Sequence, residues 1–238
     1  MMNGLGPMGF FNFAGMGFVI IAAIISFGAQ MFVQSSYSKY RKVRTMGSMT
    51  GAEIAQKILD LNNITDVQVI QSSGGQLSDH YDPTKKVVAL SPEVYQNNSI
   101  ASVAVAAHEV GHAIQHAQGY AFIALRNRIL PLAIVGNNVG MIAVMIGLFA
   151  NPTIFWIGIA ALSLMALFQL VTLPVEFDAS ARALRILNDN NLVEPSEVSG
   201  ARSMLTAAAL TYVAALLSTI LNLMRYIAVF NSGRSNRN

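Results

Sequence analysis

Four long apolar runs limit what this chain can fold into. Residues 10–33, 129–150, 153–173 and 204–230 are each apolar enough, and long enough as helices, to cross a hydrocarbon layer roughly 30 Å thick. No Lys, Arg, Asp or Glu occurs between Ile129 and Val175. Charged residues make up only 11% of the 238, against about 25% in an ordinary soluble domain. The expected fold is therefore a mainly α integral membrane protein with about four transmembrane helices. The run at 10–33 follows an uncharged, glycine-rich tail at 1–9. It lacks the positive start of a cleaved leader and is longer than a leader's apolar core, so it reads as a retained first span. Asn151-Pro152 breaks the second run from the third and makes them a hairpin. Pro174 is expected to end that hairpin, and residues 231–238 read as a disordered polar tail.

Charge orients the spans. Nine of the fifteen Lys and Arg residues fall between the first and second runs, including the cluster Lys39, Arg41, Lys42 and Arg44. Three more, Arg182, Arg185 and Arg202, lie between the third and fourth, and none lies between the second and third. Positive residues beside spans mark the cytoplasmic side, so the segments at 34–128 and 174–203 are both expected there. The cluster at 39–44 could alternatively bind anionic lipid or substrate. A net charge of +3, scattered in this way, is not a nucleic-acid signature, and no nucleic-acid partner is expected. The absence of cysteine excludes disulfides and thiolate metal sites.

Residues 34–128 carry the signals of a small α/β unit. Thr50 and Glu53 form a capping-box pattern, and Ile54, Ile58 and Leu61 fall on one face of the helix that follows. Val67–Ile70 and Lys85–Leu90 read as strands. Ser91-Pro92 opens a short helix around Glu93 to Tyr95. Ser99 is a suitable cap for a longer helix that Gly119 would stop.

Within that longer helix lies His108-Glu109-Val110-Gly111-His112. Histidines four apart leave a helix on one face, so both imidazoles can reach one zinc ion. Glu109, about 100° round the helix from His108, can hold a water and accept its proton as a general base. A catalytic zinc requires a third protein ligand. His116 lies about 80° round the helix and over two turns beyond His108, which one ion cannot easily span together with both other histidines. Glu176 follows the hairpin, which returns the chain to the place it left. The pattern leaves two explanations of Glu176 open: a ligand, or an acid favoured at a helix N-terminus just after Pro174.

Four blocks carry a family resemblance. They are Leu77-Ser-Asp79-His80-Tyr81-Asp82-Pro83, Leu90-Ser-Pro92-x-Val94-Tyr95, Ala106-Ala-His108-Glu109-x-Gly111-His112-Ala-Ile-Gln115, and Leu173-Pro174-Val175-Glu176-Phe177-Asp178-Ala179-Ser180. In this order they resemble the YugP-like membrane zinc metallopeptidases of bacteria. The layout is more distantly similar to the integral-membrane heat-shock and CAAX-type gluzincin proteases, in which His-Glu-x-x-His, a transmembrane hairpin and Glu-x-x-Ala-Asp follow one another. The resemblance implies a zincin-like unit at the membrane surface, His108, His112 and Glu176 as zinc ligands, and Glu109 as the catalytic base. The chain departs from the distant pattern at Ser180, where those proteases carry an Asp that orients a ligand histidine. Asp178 could substitute, although on a regular helix it points elsewhere.

Further candidates have alternative readings. His80 and Tyr81 could stabilise a developing oxyanion, or His80 could merely hold the turn signalled by Asp82-Pro83. Arg182 and Arg185 are other oxyanion donors unless they are solvated. The strand at 87–90 could offer its edge to an extended peptide. The expected activity is a membrane-bound zinc metalloendopeptidase of the bacterial plasma membrane, multi-pass, with its catalytic side cytoplasmic. Its partners would be a protein or peptide substrate and the bilayer, with a homo-oligomer or regulatory membrane partner left open. Two rivals remain. A non-catalytic zinc-containing scaffold or adaptor would have no need of Glu109. A metal transporter would place ligands in the spans, and the apolar runs hold no His, Asp or Glu.

Overall fold

The computed structural model describes residues 13–76 and 78–235. The tail at 1–9, the start of the first apolar run, Leu77 and residues 236–238 lie outside them. Ten elements follow in chain order: α1 (Phe13–Tyr40), α2 (Gly51–Leu61), β1 (Gln68–Gln71), β2 (His80–Asp82), β3 (Val87–Leu90), α3 (Pro92–Gln96), α4 (Ile100–Ala117), α5 (Ala121–Phe149), α6 (Pro152–Asp189) and α7 (Pro195–Ser235). Four of the helices, α1, α5, α6 and α7, are long and apolar enough to cross a membrane. Two compact units can be distinguished. Among the described residues, one is formed by those within 30–124 and 172–210, the other by those within 13–29, 125–171 and 211–235.

The first unit holds the sheet and the His-Glu helix. Its α2 begins with a complete capping box: the Glu53 amide donates to Thr50 Oγ1 at 3.2 Å, and the Thr50 amide donates to Glu53 Oε2 at 2.8 Å. Ile54, Ala55, Ile58 and Leu59 of α2 are fully buried, each apolar side chain contributing on the order of 1.5–3 kcal/mol of transfer free energy for the larger ones. Leu61 differs from expectation: as the last residue of the helix it is exposed, and Ala55 and Leu59 complete the buried face instead.

The sheet has the order β1-β3-β2, with β1 parallel and β2 antiparallel to β3. The expectation for the strand at 87–90 is overturned here. Both sides of β3 are already paired, so it has no edge to offer; the edge strands are β1 and β2. Strand β2 replaces what read as turn alone at His80 to Asp82. The turn itself follows it, with Asp82 Oδ1 accepting from the amides of Thr84 and Lys85 at 2.9 and 3.1 Å.

The second unit is built from the apolar helices. Its α5 and α6 approach closely where both lack side chains: a Cβ on Gly140 would lie 2.9 Å from the carbonyl oxygen of Gly158. Large apolar side chains such as Ile24, Phe27, Ile142 and Ile157 face outward, as expected of surfaces that meet lipid rather than water.

Helix continuity also departs from the sequence reading. Pro174 lies inside α6 and does not end it. Proline removes one amide donor and clashes one turn back, yet the helix continues to Asp189. The last apolar run is part of a longer helix, α7, that already begins at Pro195. It runs on to Ser235, so residues 231–235 are helical rather than disordered.

Candidate metal centre

The candidate site belongs entirely to the first unit. Ser99 caps α4 by accepting from the Ser102 amide at 3.1 Å, and Gly119 leaves the helix with a φ of +64°, a conformation glycine adopts without penalty. Half of the 18 residues of α4 are Ala or Val, and all of these except Val105 and Ala117 are buried. The C-terminal part of α6 packs a stripe of Val175, Ala179, Ala183 and Leu187, all fully buried, at the fourfold spacing of one helix face.

Gly111 sets the distance between these two helices. A Cβ at that position would stand 2.8 Å from the carbonyl oxygen of Ala179, closer than real contacts allow. The glycine inside the His-Glu motif and the alanine three residues after Glu176 therefore have a shared reason: both let the backbones touch.

That approach brings His108, His112 and Glu176 together. One ligand-type atom from each lies within 4.8 Å of the others. Glu176 Oε2 is 3.3 Å from His108 Nε2 and 3.5 Å from His112 Nε2. The Glu176 side chain is 3% exposed, and the two imidazoles 13% and 12%. Among the described residues no hydrogen bond reaches Oε2, although it is fully shielded from solvent. A buried carboxylate costs several kcal/mol unless it is compensated. Two imidazole nitrogens and a carboxylate oxygen converging without an aligned proton form a donor set that suits zinc, and a cation there would satisfy the orphaned oxygen. The residues fit the metal.

The position of Glu176 also removes one of its two explanations. It lies deep inside α6 rather than in its first turn, so the helix dipole does not account for it.

The outer partners divide between the two histidines. Ser180, one turn after Glu176, places its Oγ 3.1 Å from His108 Nδ1. His112 Nδ1 lies 3.0 Å from Gln115 Oε1. Gln115 is completely buried, and its Nε2 donates at 2.8 Å to the Val175 carbonyl and at 2.8 Å to Asp178 Oδ2. Burial disfavours the charged form of His112, but contact with Glu176, the nearby charge of Glu109 and the Gln115 hydrogen bond outweigh it and hold its pKa above the usual value. Gln115 is the residue whose role the sequence reading missed. Its position three residues after His112, on the same helical face, was the available signal.

The other candidates are placed elsewhere. Glu109 is half-buried on α4. Arg182 donates from Nε to Asp178 and from Nη1 to Gln118 Oε1 at 2.6 Å, with its guanidinium 5.8 Å from the Tyr120 ring centre; Arg185 is exposed. His80 Nδ1 is 2.9 Å from the Ser78 carbonyl. The Tyr81 hydroxyl lies 3.3 Å from His116 Nδ1, and both line a cavity of about 230 Å³ together with Asp66, Lys86 and Ala113. None of these side chains joins the three convergent residues.

Comparison with known proteins agrees with this chemistry. The family described as "Putative neutral zinc metallopeptidase" matches residues 16–231. The "Putative membrane protease YugP" of Bacillus subtilis is 43% identical over 219 residues, covering 91% of this chain and 97% of that protein. No solved structure matches significantly.

Proposed function

The chain belongs to the putative neutral zinc metallopeptidase family, and on that premise we propose that it is a membrane-bound zinc endopeptidase. One observation carries the reading: the buried, unpartnered Oε2 of Glu176 facing two imidazole nitrogens. His108, His112 and Glu176 would hold the metal. Zinc bound there would polarise a carbonyl oxygen and make a water acidic near neutral pH.

The chain's own contribution is proton handling. Glu109 accepts the proton of the attacking water on its carboxylate as the new C–O bond forms. It then delivers that proton to the departing amine nitrogen as the C–N bond breaks. Four spans would hold this zincin-like unit at the cytoplasmic surface of the plasma membrane, following the distribution of Lys and Arg. An extended peptide would find its strand edge on β2, since β3 is paired on both sides.

Purified full-length protein in detergent, offered casein, tests the reading. Cleavage should disappear with a chelator and return with added zinc. Complete zinc loading without cleavage of casein or of the chain itself would favour the scaffold reading.

A further inference from the structure

Resting on the zinc reading above, we infer that Gln115 is a positioning residue that fixes which nitrogen of His112 faces the metal. The side-chain amide of Gln115 has one end that only accepts and one that only donates. Its Nε2 end meets two partners at 2.8 Å, the Val175 carbonyl oxygen and Asp178 Oδ2. A carbonyl oxygen has no proton to give, and Asp178 Oδ2 already accepts from Arg182 Nε. Both partners therefore require the NH2 group, and flipping the amide would set an oxygen against two oxygens.

The carbonyl end is thereby forced toward His112, with Oε1 3.0 Å from Nδ1. That contact is a hydrogen bond only if Nδ1 carries the proton. The proton on Nδ1 leaves Nε2 with a free lone pair, and Nε2 is the nitrogen that faces Glu176. The path Arg182–Asp178–Gln115–His112 thus converts an ion pair within α6 into a fixed tautomer on α4. The other histidine has no such path. Ser180 Oγ can donate to or accept from His108 Nδ1, so it orients the ring without choosing the tautomer.

Zinc affinity of the full chain, measured in detergent by competition with a chelator, tests the inference, with the melting temperature of the metal-free protein as a control for folding. Gln115→Met keeps the volume and removes the acceptor. It should weaken zinc binding by about 10–100-fold, the usual effect of losing an outer partner of a ligand. Equal affinity of Gln115→Met and wild type would overturn the inference. Histidine-selective ¹⁵N spectra of the metal-free chain supply a readout that a merely structural role would not move: neutral His112 should be the Nδ1–H tautomer in wild type and a mixture of tautomers in Gln115→Met. An unchanged tautomer in Gln115→Met would mark Gln115 as a strut between helices and overturn the inference. Should Gln115→Met fail to fold, histidine-selective ¹⁵N spectra of the zinc-loaded wild type decide. Ligation of His112 through Nε2 with Nδ1 protonated supports the inference, and ligation through Nδ1 defeats it. A wild-type chain that binds no zinc defeats the functional reading instead, before any variant is compared.

Discussion

At the scale of the residue, the proposed ligands differ from the groups that would hold them. Glu176 offers the oxygen on which both histidines converge, whereas Ser180 touches only the far nitrogen of His108. Ser180→Ala should therefore weaken zinc binding by about tenfold, and Glu176→Ala by clearly more than the ~10–100-fold typical of an outer partner. Chelator competition on the two variants checks the order, and a Glu176→Ala chain that binds zinc as wild type does would remove it from the ligand set. The histidine pair was legible because a four-residue spacing has one geometric meaning on a helix. Gln115 was not, because nothing in its local pattern shows that Val175 and Asp178 lie across from it. The doubt over Ser180 had the same source: a hydroxyl can replace a carboxylate as an imidazole partner, but only the packed helices show the distance.

At the scale of the element, α4 and α6 depend on contact between backbones. Gly111→Ala inserts a methyl group 2.8 Å from the Ala179 carbonyl oxygen. Overpacking of this kind costs about 1–3 kcal/mol and should lower the melting temperature. It should weaken zinc binding as well, because the same shift moves Glu176 away from His108 and His112. An unchanged melting temperature would show that the helices can part freely. Caps and breaks were read correctly where local chemistry decides them, as at the Thr50–Glu53 box and at Gly119. They were misread where a helix overrides a local signal. Pro174 looked like an end, yet α6 passes through it. Strand β2 was read as turn alone because three residues carry too little periodicity, and its pairing with β3 is a long-range fact. That omission also assigned the free edge to the wrong strand.

At the scale of the whole molecule, the proposed metal and the proton would compete for the same histidine. His112 is held above its usual pKa of 6.5 in the folded, metal-free chain. A group raised in this way contributes stability that is complete below the unfolded value and is lost as pH rises through the folded value. The metal-free chain should thus lose stability as pH rises above the usual histidine value of 6.5. Zinc must displace that proton, so its affinity should rise over the same interval. Melting temperatures of the two forms should diverge with pH, and parallel curves would show that His112 is uncoupled from the metal. The apolar runs made the four long helices legible, and the hairpin between Glu109 and Glu176 suggested that the motif halves meet.

On the proposed reading, Glu109 acts on a water at a centre held by His108, His112 and Glu176. The most direct measurement is hydrolysis of casein by wild type and Glu109→Gln, purified in parallel and matched in zinc content, each with a chelator control. Cleavage by wild type alone, abolished by the chelator, with Glu109→Gln silent at full zinc loading, is the predicted result. Cleavage by Glu109→Gln at the wild-type rate would contradict it and leave the base to be sought elsewhere.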